Sequence, residues 1–267
     1  MRPLNIPKKI RQFVDSSLTK SEMCNSAKLA YERISDGEPV VSIVMPAYNE
    51  TLTIVPTLAS LCNNKTSKIV EIIVCNNNSK DDTASLATAC GVNCINEYTQ
   101  GIVPARNAGL AIARGKYILN ADADTIYPED WIEEMINPLV NDQAVSITYG
   151  RFGTIPTAST GRWVYFLYEH LAESVRWFNK KTKDEAVNVY GFNSGFRREQ
   201  GLSVDGFNHP VGTNEDGFLA VKLREKGYGK LHYVTAPNAM VWTTDRRIQL
   251  DGGFVKGTIM RIKRLFK

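Results

Sequence analysis

The sequence lacks a run of apolar residues long enough to cross a membrane, which needs roughly 18 consecutive ones. Basic residues at positions 1–9 are not followed by an apolar segment, so a secretion signal is not expected. Cysteine is scarce and has no metal-site spacing, and the C-x-x-x-C pair formed by Cys90 and Cys94 is weak evidence for a disulfide. We therefore expect a soluble, cytoplasmic protein with reduced thiols.

Two common nucleotide-binding motifs are also absent. Neither residues 46–50 nor residues 76–78, which follow the first two predicted strands, match G-x-G-x-x-G, and there is no G-x-x-x-x-G-K-[ST] loop. The sequence thus excludes a dinucleotide fingerprint and a P-loop. Phosphate charge would be neutralised here by a metal ion held on carboxylates.

What is present is the composition of an ordinary globular protein, with 43% hydrophobic and 22% charged residues. The 267 residues suffice for one large α/β domain with short extensions, or for two small domains. Short β-branched runs alternate with apolar helical segments, which predicts a mainly parallel sheet flanked by helices. The predicted strands are 40–45, 69–74, 92–95 and 116–119, and residues 1–37 are predicted to be a helical extension.

Two aspartates, Asp122 and Asp124, follow directly after the fourth predicted strand. A buried carboxylate needs a cation, hydrogen-bond donors or solvent, and ligands of α/β proteins bind at the carboxyl ends of strands. Asp122 alone is also compatible with a strand-end cap. The pair predicts a divalent metal site for a phosphorylated substrate.

An aromatic segment and a basic tail are the other conspicuous features. Residues 161–178 carry aromatic side chains in a helical pattern, which predicts a core helix first, with sugar stacking as the alternative. The tail, residues 248–267, has five cations after Asp251 and no acid after it, with apolar residues on one helical face. This pattern is typical of a helix that lies on the surface of an anionic membrane, with residues 254–267 making the contact. The alternative is a helix that is docked on the domain with its cations in water.

Six segments resemble, in order and spacing, the family 2 glycosyltransferases of GT-A fold. They are V-S-I-V-M-P-A-Y-N-E (41–50), V-C-N-N-N-S-K-D-D-T (74–83), A-R-N-A-G (105–109), Y-I-L-N-A-D-A-D-T (117–125), G-F-N-S-G-F-R-R (191–198) and G-T-N-E-D-G (212–217). The resemblance covers roughly residues 40–247. It implies a GT-A type, Rossmann-like domain at 38–247, with a nucleotide-sugar-binding half (38–125) and an acceptor half (126–247). No Q-x-x-R-W segment is present, which disfavours a processive polysaccharide synthase.

By this resemblance, Asp124 and Asp122 hold Mn²⁺ or Mg²⁺, and the donor site contains a further set of residues. Asn76 stands where the family usually has an aspartate that reads the base, although an amide oxygen can still accept a hydrogen bond. Arg106 would suit the diphosphate or orient Asp122, and Arg246 or Arg247 would close over the diphosphate. The nucleotide-sugar-binding set is Pro46, Ala47, Tyr48, Glu50, Asn76, Asn78, Arg106, Asp122, Ala123 and Arg247.

The pair Glu215 and Asp216 precedes an apolar helical run, where acids also favour the helix dipole. The resemblance implies that Asp216 is the general base of an inverting transfer and that Glu215 positions it or the acceptor.

The predicted function is metal-dependent transfer of one sugar, with a UDP-sugar as the expected donor. The expected acceptor is a glycan or a lipid-linked molecule in cell-surface polysaccharide or glycoconjugate assembly, at the cytoplasmic face of the membrane, with no nucleic acid as partner. The alternatives are a nucleotidyltransferase acting on a sugar phosphate and a non-catalytic nucleotide-sugar or glycan-binding module.

Overall fold

A computed structural model describes residues 2–250, 252 and 253. The predicted membrane contact through 254–267 therefore lies outside the described residues. The helices are α1 (Lys8–Val14), α2 (Lys20–Ser35), α3 (Ile54–Cys62), α4 (Thr83–Ala89), α5 (Ile102–Ile112), α6 (Trp131–Asn141), α7 (Arg162–Thr182), α8 (Arg198–Ser203), α9 (Glu215–Glu225) and α10 (Arg246–Leu250). The strands are β1 (Val41–Ala47), β2 (Val70–Asn76), β3 (Asn93–Asn96), β4 (Tyr117–Asn120), β5 (Thr125–Ile126), β6 (Val145–Gly150), β7 (Phe152–Ile155), β8 (Ser194–Arg197), β9 (Lys230–Val234) and β10 (Val241–Thr244).

The main sheet has seven strands in the order β3-β2-β1-β4-β8-β6-β9. Strands β1 to β4 are mutually parallel where they pair, β8 is antiparallel to both of its neighbours, and β6 and β9 are parallel. Helices α3 and α5 pack on opposite faces of β1, since their buried residues belong to two separate apolar cores. The predicted α/β fold with a mainly parallel sheet flanked by helices is confirmed.

The first strand extends two residues beyond its predicted end. Pro46 and Ala47 continue β1, although proline has no N–H to donate to a sheet ladder. Proline is tolerated because the pairing of β1 with β4 stops at Val44, so that Pro46 pairs with β2 alone. The extension carries the loop that follows to the edge where the aspartates lie.

A second sheet of three strands, in the order β5-β10-β7, stands beside the first. It begins immediately after the two aspartates, because β5 starts at Thr125. Its middle strand, β10, is drawn from residues near the C-terminal end of the described chain. The small sheet thus brings residues 241–250 next to the end of β4.

The helical N-terminal segment packs on the main core. Helix α2 begins with a capping box, in which the Thr19 hydroxyl accepts from the Glu22 N–H and the Glu22 carboxylate accepts from the Thr19 N–H. Its buried side chains, Met23, Cys24, Ala27, Ala30 and Ile34, join the same apolar cluster as β1 and α3. The division of residues 38–247 into two functional halves stays a prediction.

Helix α7 forms as predicted, but part of its aromatic surface is exposed and not in the core. Tyr165 is fully buried, but Trp163 and Trp177 are 62% and 65% exposed. The aromatic pattern therefore predicted the helix correctly and the burial of these two tryptophans wrongly. No helix in the described ranges is both long and apolar enough to cross a membrane.

Candidate active site

The carboxyl ends of the parallel strands form the edge at which the candidate site lies. Ala47 at the end of β1 is in register with Asn76 at the end of β2. On the other side of β1, the Ala121 N–H donates to the Val44 carbonyl, so the pairing of β1 with β4 continues one residue beyond the end of β4. Because the strands run in the same direction, the loops after β1, β2 and β4 converge there. This topology places residues 46–50, 76–79 and 121–124 in one neighbourhood.

Two cavities meet at this edge and share both aspartates. The first, which we call the edge cavity, has a volume of about 320 Å³. Its lining residues are Pro46, Ala47, Tyr48, Glu50, Asn77, Gln100, Gly101, Ile102, Ala105, Asp122, Ala123, Asp124, Arg246 and Leu250. Eight of the residues predicted for donor or metal binding, with Arg246 included, are in this set.

Two predicted donor-site asparagines, Asn76 and Asn78, do not line the edge cavity. The Asn76 amide donates to the Asn96 side chain at 2.8 Å, and its carbonyl oxygen accepts from the Ser79 N–H at 3.3 Å. Asn78 has a left-handed backbone (φ 63°) and donates to the Tyr98 carbonyl. Their roles in donor binding stay predictions.

Asn77 is the member of this triplet that lines the edge cavity. It is buried and donates to the carbonyls of Glu97 and Thr99, while its own carbonyl oxygen accepts from the Gly101 N–H at 2.7 Å and from Gln100. These bonds hold the loop that leads into α5 against the end of β2. The run of three asparagines marks the site in the sequence, but it does not indicate which of them faces the cavity.

An arginine from the second sheet closes one side of the edge cavity. Arg246, at the start of α10, pairs with Glu50, and its Nη2 lies 3.8 Å from Oδ2 of Asp124. Burial works to lower the pKa of Arg246, but the hydrogen bond to Glu50 and the charges of Glu50 and Asp124 raise it. The side chain of Arg247, also predicted here, lies outside the described part of the chain.

Beneath the edge cavity, one buried arginine joins the two acidic motifs. Arg106 on α5 is 1% exposed. Its Nη1 lies 2.5 Å from Oδ1 of Asp216, and its Nη2 lies 3.1 Å from Oδ1 of Asp122. The first turn of α9 and the end of β4 are thereby linked through a single guanidinium.

Asp216 occupies the first turn of α9, as predicted, and is buried. The side chain of the N-cap, Asn214, accepts from the N–H groups of Asp216 and Gly217. Burial raises the pKa of Asp216 to about 7, and Arg106 opposes this rise while Glu215 and Asp122 add to it. Because two carboxylates share one guanidinium, a raised pKa at one of them is physically reasonable.

Close packing fixes the position of Arg106. A Cβ atom on Gly191 would lie 1.9 Å from Nη2 of Arg106, so only glycine fits there. The Phe207 ring lies beside the same guanidinium, with its centroid 5.5 Å from Cζ. The hydroxyl of buried Tyr127 accepts from the Asp122 N–H at 2.9 Å and donates to the Phe192 carbonyl, which fixes the backbone of the aspartate segment.

The two aspartates suit a hard divalent cation, which prefers carboxylate and phosphate oxygens. Both line the edge cavity, and their side chains are 15% and 9% exposed. Within the described ranges, no group of three or more His, Cys, Asp or Glu side chains is arranged to hold a metal ion. The donor set therefore fits a cation that completes its coordination with substrate oxygens.

The second cavity, which we call the aromatic cavity, has a volume of about 240 Å³ and lies on the other side of the aspartates. Its lining is Asp122, Asp124, Phe152, Thr154, Tyr168, Tyr190, Phe192, Thr243, Thr244 and Ile248. The rings of Tyr190 and Phe192 stack, with centroids 5.6 Å apart and planes 10° apart. Aromatic faces beside hydroxyl groups are surfaces on which a sugar ring can lie.

Sequence reasoning missed most of the aromatic cavity. Besides the two aspartates after β4, its residues come from β7, α7, β10, α10 and the turns before β8, which are dispersed along the chain. Local signals existed for Asp122 and Asp124, for Phe192 within the motif 191–198, and for the helix of Tyr168, where sugar stacking was the alternative to a core role. The aromatic pattern of α7 predicted a helix without indicating that Tyr168 faces this cavity.

The chain is similar to several known proteins. A family model described as Glycosyl transferase family 2 matches residues 42–200. A curated relative in Escherichia coli, chondroitin synthase, is 26% identical over 225 residues, which are 82% of this chain and 30% of the relative. Another, also from Escherichia coli, is UDP-Glc:alpha-D-GlcNAc-diphosphoundecaprenol beta-1,3-glucosyltransferase WfaP, 34% identical over 117 residues, covering 42% of this chain and 46% of that protein. The chain thus spans less than half the length of these relatives.

Among solved structures, the fold is similar to that of the mannosyltransferase PcManGT from Pyrobaculum calidifontis in complex with GDP-Man and Mn²⁺. The TM-score is 0.58 at 20% identity, and the match covers 92% of this chain and 76% of the other. At this identity the likeness concerns the fold alone.

Proposed function

Because the chain belongs to glycosyltransferase family 2, we propose that it transfers one sugar from a nucleotide-diphosphate sugar to a glycan or lipid-linked acceptor. The observation that carries the proposal is the Arg106 bridge, in which one guanidinium contacts Asp122 and Asp216. An acid that lines both cavities, Asp122, and the predicted base are thereby held in one network.

The edge cavity is assigned to the nucleotide. Residues 46–50, Asn77 and Gln100 supply an apolar wall and amide groups suited to a base and a ribose. Arg246 would exchange its contacts with Glu50 and Asp124 for the diphosphate oxygens. A UDP-sugar is the preferred donor, because the relative WfaP is named for a UDP-glucose reaction.

Asp124 and Asp122 would hold a Mn²⁺ or Mg²⁺ ion, with Asp124 as the more direct ligand. Such an ion neutralises charge that develops on the departing diphosphate. The protein contributes the orientation of the two carboxylates, through the bond from Arg106 to Asp122 and through Tyr127 on the Asp122 backbone.

The aromatic cavity is assigned to the acceptor and Asp216 to general base catalysis with inversion. A carboxylate with a pKa near the working pH can take a proton from an attacking hydroxyl group, and a pKa of about 7 meets this condition. Asp216 lines neither cavity, and Arg106 contacts its Oδ1. The proposal therefore requires the acceptor hydroxyl to enter deeper than the cavities now reach, with Glu215 positioning the base or the acceptor.

The decisive experiment measures nucleoside diphosphate release from UDP-, GDP- and dTDP-sugars, with Mn²⁺ or with EDTA. We expect Mn²⁺-dependent release that acceptor glycans accelerate. Release of pyrophosphate from a nucleoside triphosphate would instead identify a nucleotidyltransferase. Tight binding without turnover for every donor would identify a binding module, and either result would overturn the proposal.

A further inference from the structure

Helix α7 carries an apolar face that no described residue covers. Trp163, Leu167, Leu171, Trp177 and Phe178 are between 53% and 65% exposed. Their spacing places all five on one side of the helix. With 21 residues, α7 is roughly 30 Å long. The same side also carries the exposed His170 and Ser174, so the face is mainly, and not wholly, apolar.

The charged residues of α7 leave the apolar face with one lysine at its C-terminal end and no acid. Both acids of the helix have partners within the protein. Glu169 accepts from the Thr154 N–H and from Arg162. Glu173 pairs with Arg2 and Arg176. At the C-terminal end, Lys181 is exposed and lies on the same side of the helix as Trp163, whereas the exposed Lys180 pairs with Glu185 at 2.7 Å. An anionic partner would thus meet no carboxylate of α7 on the apolar face.

We propose that this face of α7 lies on the surface of an anionic phospholipid bilayer. Tryptophan at the boundary between water and lipid, and lysine beside anionic headgroups, are the features of a helix that lies in the interface plane. Lysine is depleted in the contact surfaces of protein pairs, which disfavours a second copy of the chain as the occupant.

The opposite face of the same helix borders the aromatic cavity. Tyr168 lines that cavity, and the Tyr165 hydroxyl donates to Asp245 beside β10 at 2.6 Å. A helix lying on the membrane would therefore hold the aromatic cavity next to lipid headgroups. A lipid-linked acceptor would then reach the cavity without leaving the bilayer; this last step rests on the proposed function, whereas the membrane contact does not.

The test uses the full chain and vesicles of phosphatidylcholine and phosphatidylglycerol in equal parts, with phosphatidylcholine vesicles for comparison. Flotation measures binding, and tryptophan emission reports its location. Of the four tryptophans, Trp131 and Trp242 are at most 1% exposed, so a blue shift on binding reports Trp163 and Trp177. We expect binding that needs the anionic lipid, a blue shift, and quenching by lipids brominated on their acyl chains.

The informative variant is Leu167→Gln combined with Leu171→Gln, which keeps both reporter tryptophans. The removal of two inserted leucines should weaken vesicle binding by roughly tenfold or more, with UDP binding unchanged. The matched control is Leu29→Gln on α2, which is 66% exposed and outside the face. It should bind vesicles like the parent chain.

Four outcomes would overturn the proposal. The first is that the parent chain does not bind anionic vesicles, and the second is that it binds them without a blue shift. The third is that the double leucine variant binds as well as the parent. The fourth is that the parent chain self-associates and the double leucine variant does not, while both bind lipid equally. If Ile259→Gln with Ile262→Gln abolishes binding while the leucine variant does not, the basic tail and not α7 is the lipid-binding element. None of these results depends on sugar transfer, so they are independent of the proposed function.

Discussion

Replacing Asp216 by asparagine should remove activity and make the protein more stable at alkaline pH. The carboxylate is buried, and its pKa is raised from 3.8 to about 7. In the unfolded chain it ionises at its ordinary pKa, whereas in the folded protein it holds its proton up to about pH 7. The contribution of this group to the free energy of unfolding is therefore largest at low pH. It decreases as the pH rises from the unfolded-state pKa to the folded-state pKa.

The size of the effect follows from the two pKa values. A rise from 3.8 to about 7 corresponds to about 4 kcal/mol in the free energy of unfolding. Between about pH 5 and about pH 8, linkage assigns a loss of about 3 kcal/mol to this group. Asparagine is neutral throughout, so the variant should lack this loss and should equal or exceed the parent protein in stability at about pH 8.

Urea unfolding of the parent and of Asp216→Asn at both pH values measures the difference. Glu225→Gln, at the exposed end of α9, is the matched control and should keep the parental pH dependence. Stability curves of parent and Asp216→Asn that run parallel from about pH 5 to about pH 8 would refute the buried, proton-holding carboxylate. Transfer by Asp216→Asn should fall by roughly 10²–10⁴-fold with donor binding retained, and unchanged transfer would refute the base assignment.

Four further outcomes are expected. Asp124→Ala should abolish the Mn²⁺ dependence of UDP-sugar binding in calorimetry, and equal affinity with and without EDTA in the parent would argue against a metal site. Gly191→Ala should destabilise the protein by about 1–3 kcal/mol in urea unfolding and reduce transfer, because its Cβ would lie 1.9 Å from Nη2 of Arg106. Arg246→Gln should weaken UDP binding by roughly tenfold, and unchanged binding would remove it from the diphosphate site. Tyr190→Ala should lower acceptor-dependent transfer while slow hydrolysis of the donor persists; equal losses in both would show that the aromatic cavity does not serve the acceptor.

The sequence by itself determined the parallel sheet and the position of the acids on it. Buried β-branched runs have a strong local preference for strands, and the alternation with helices leaves few topologies. The end of β4 therefore had to deliver Asp122 and Asp124 to the edge where the loops after β1 and β2 lie. The first-turn position of Asp216 on α9 was equally local, because Asn214 caps that helix.

Tertiary structure decided which of these side chains meet. Arg106 and Asp216 are separated by 110 positions, and no local pattern encodes their contact. Asn77, and not Asn76, lines the cavity because its side chain donates hydrogen bonds to the carbonyls of Glu97 and Thr99, in a loop about twenty residues further along the chain. The two faces of α7 were likewise indistinguishable in the sequence, because both are aromatic and only packing against the small sheet separates the buried Tyr165 from the exposed Trp163.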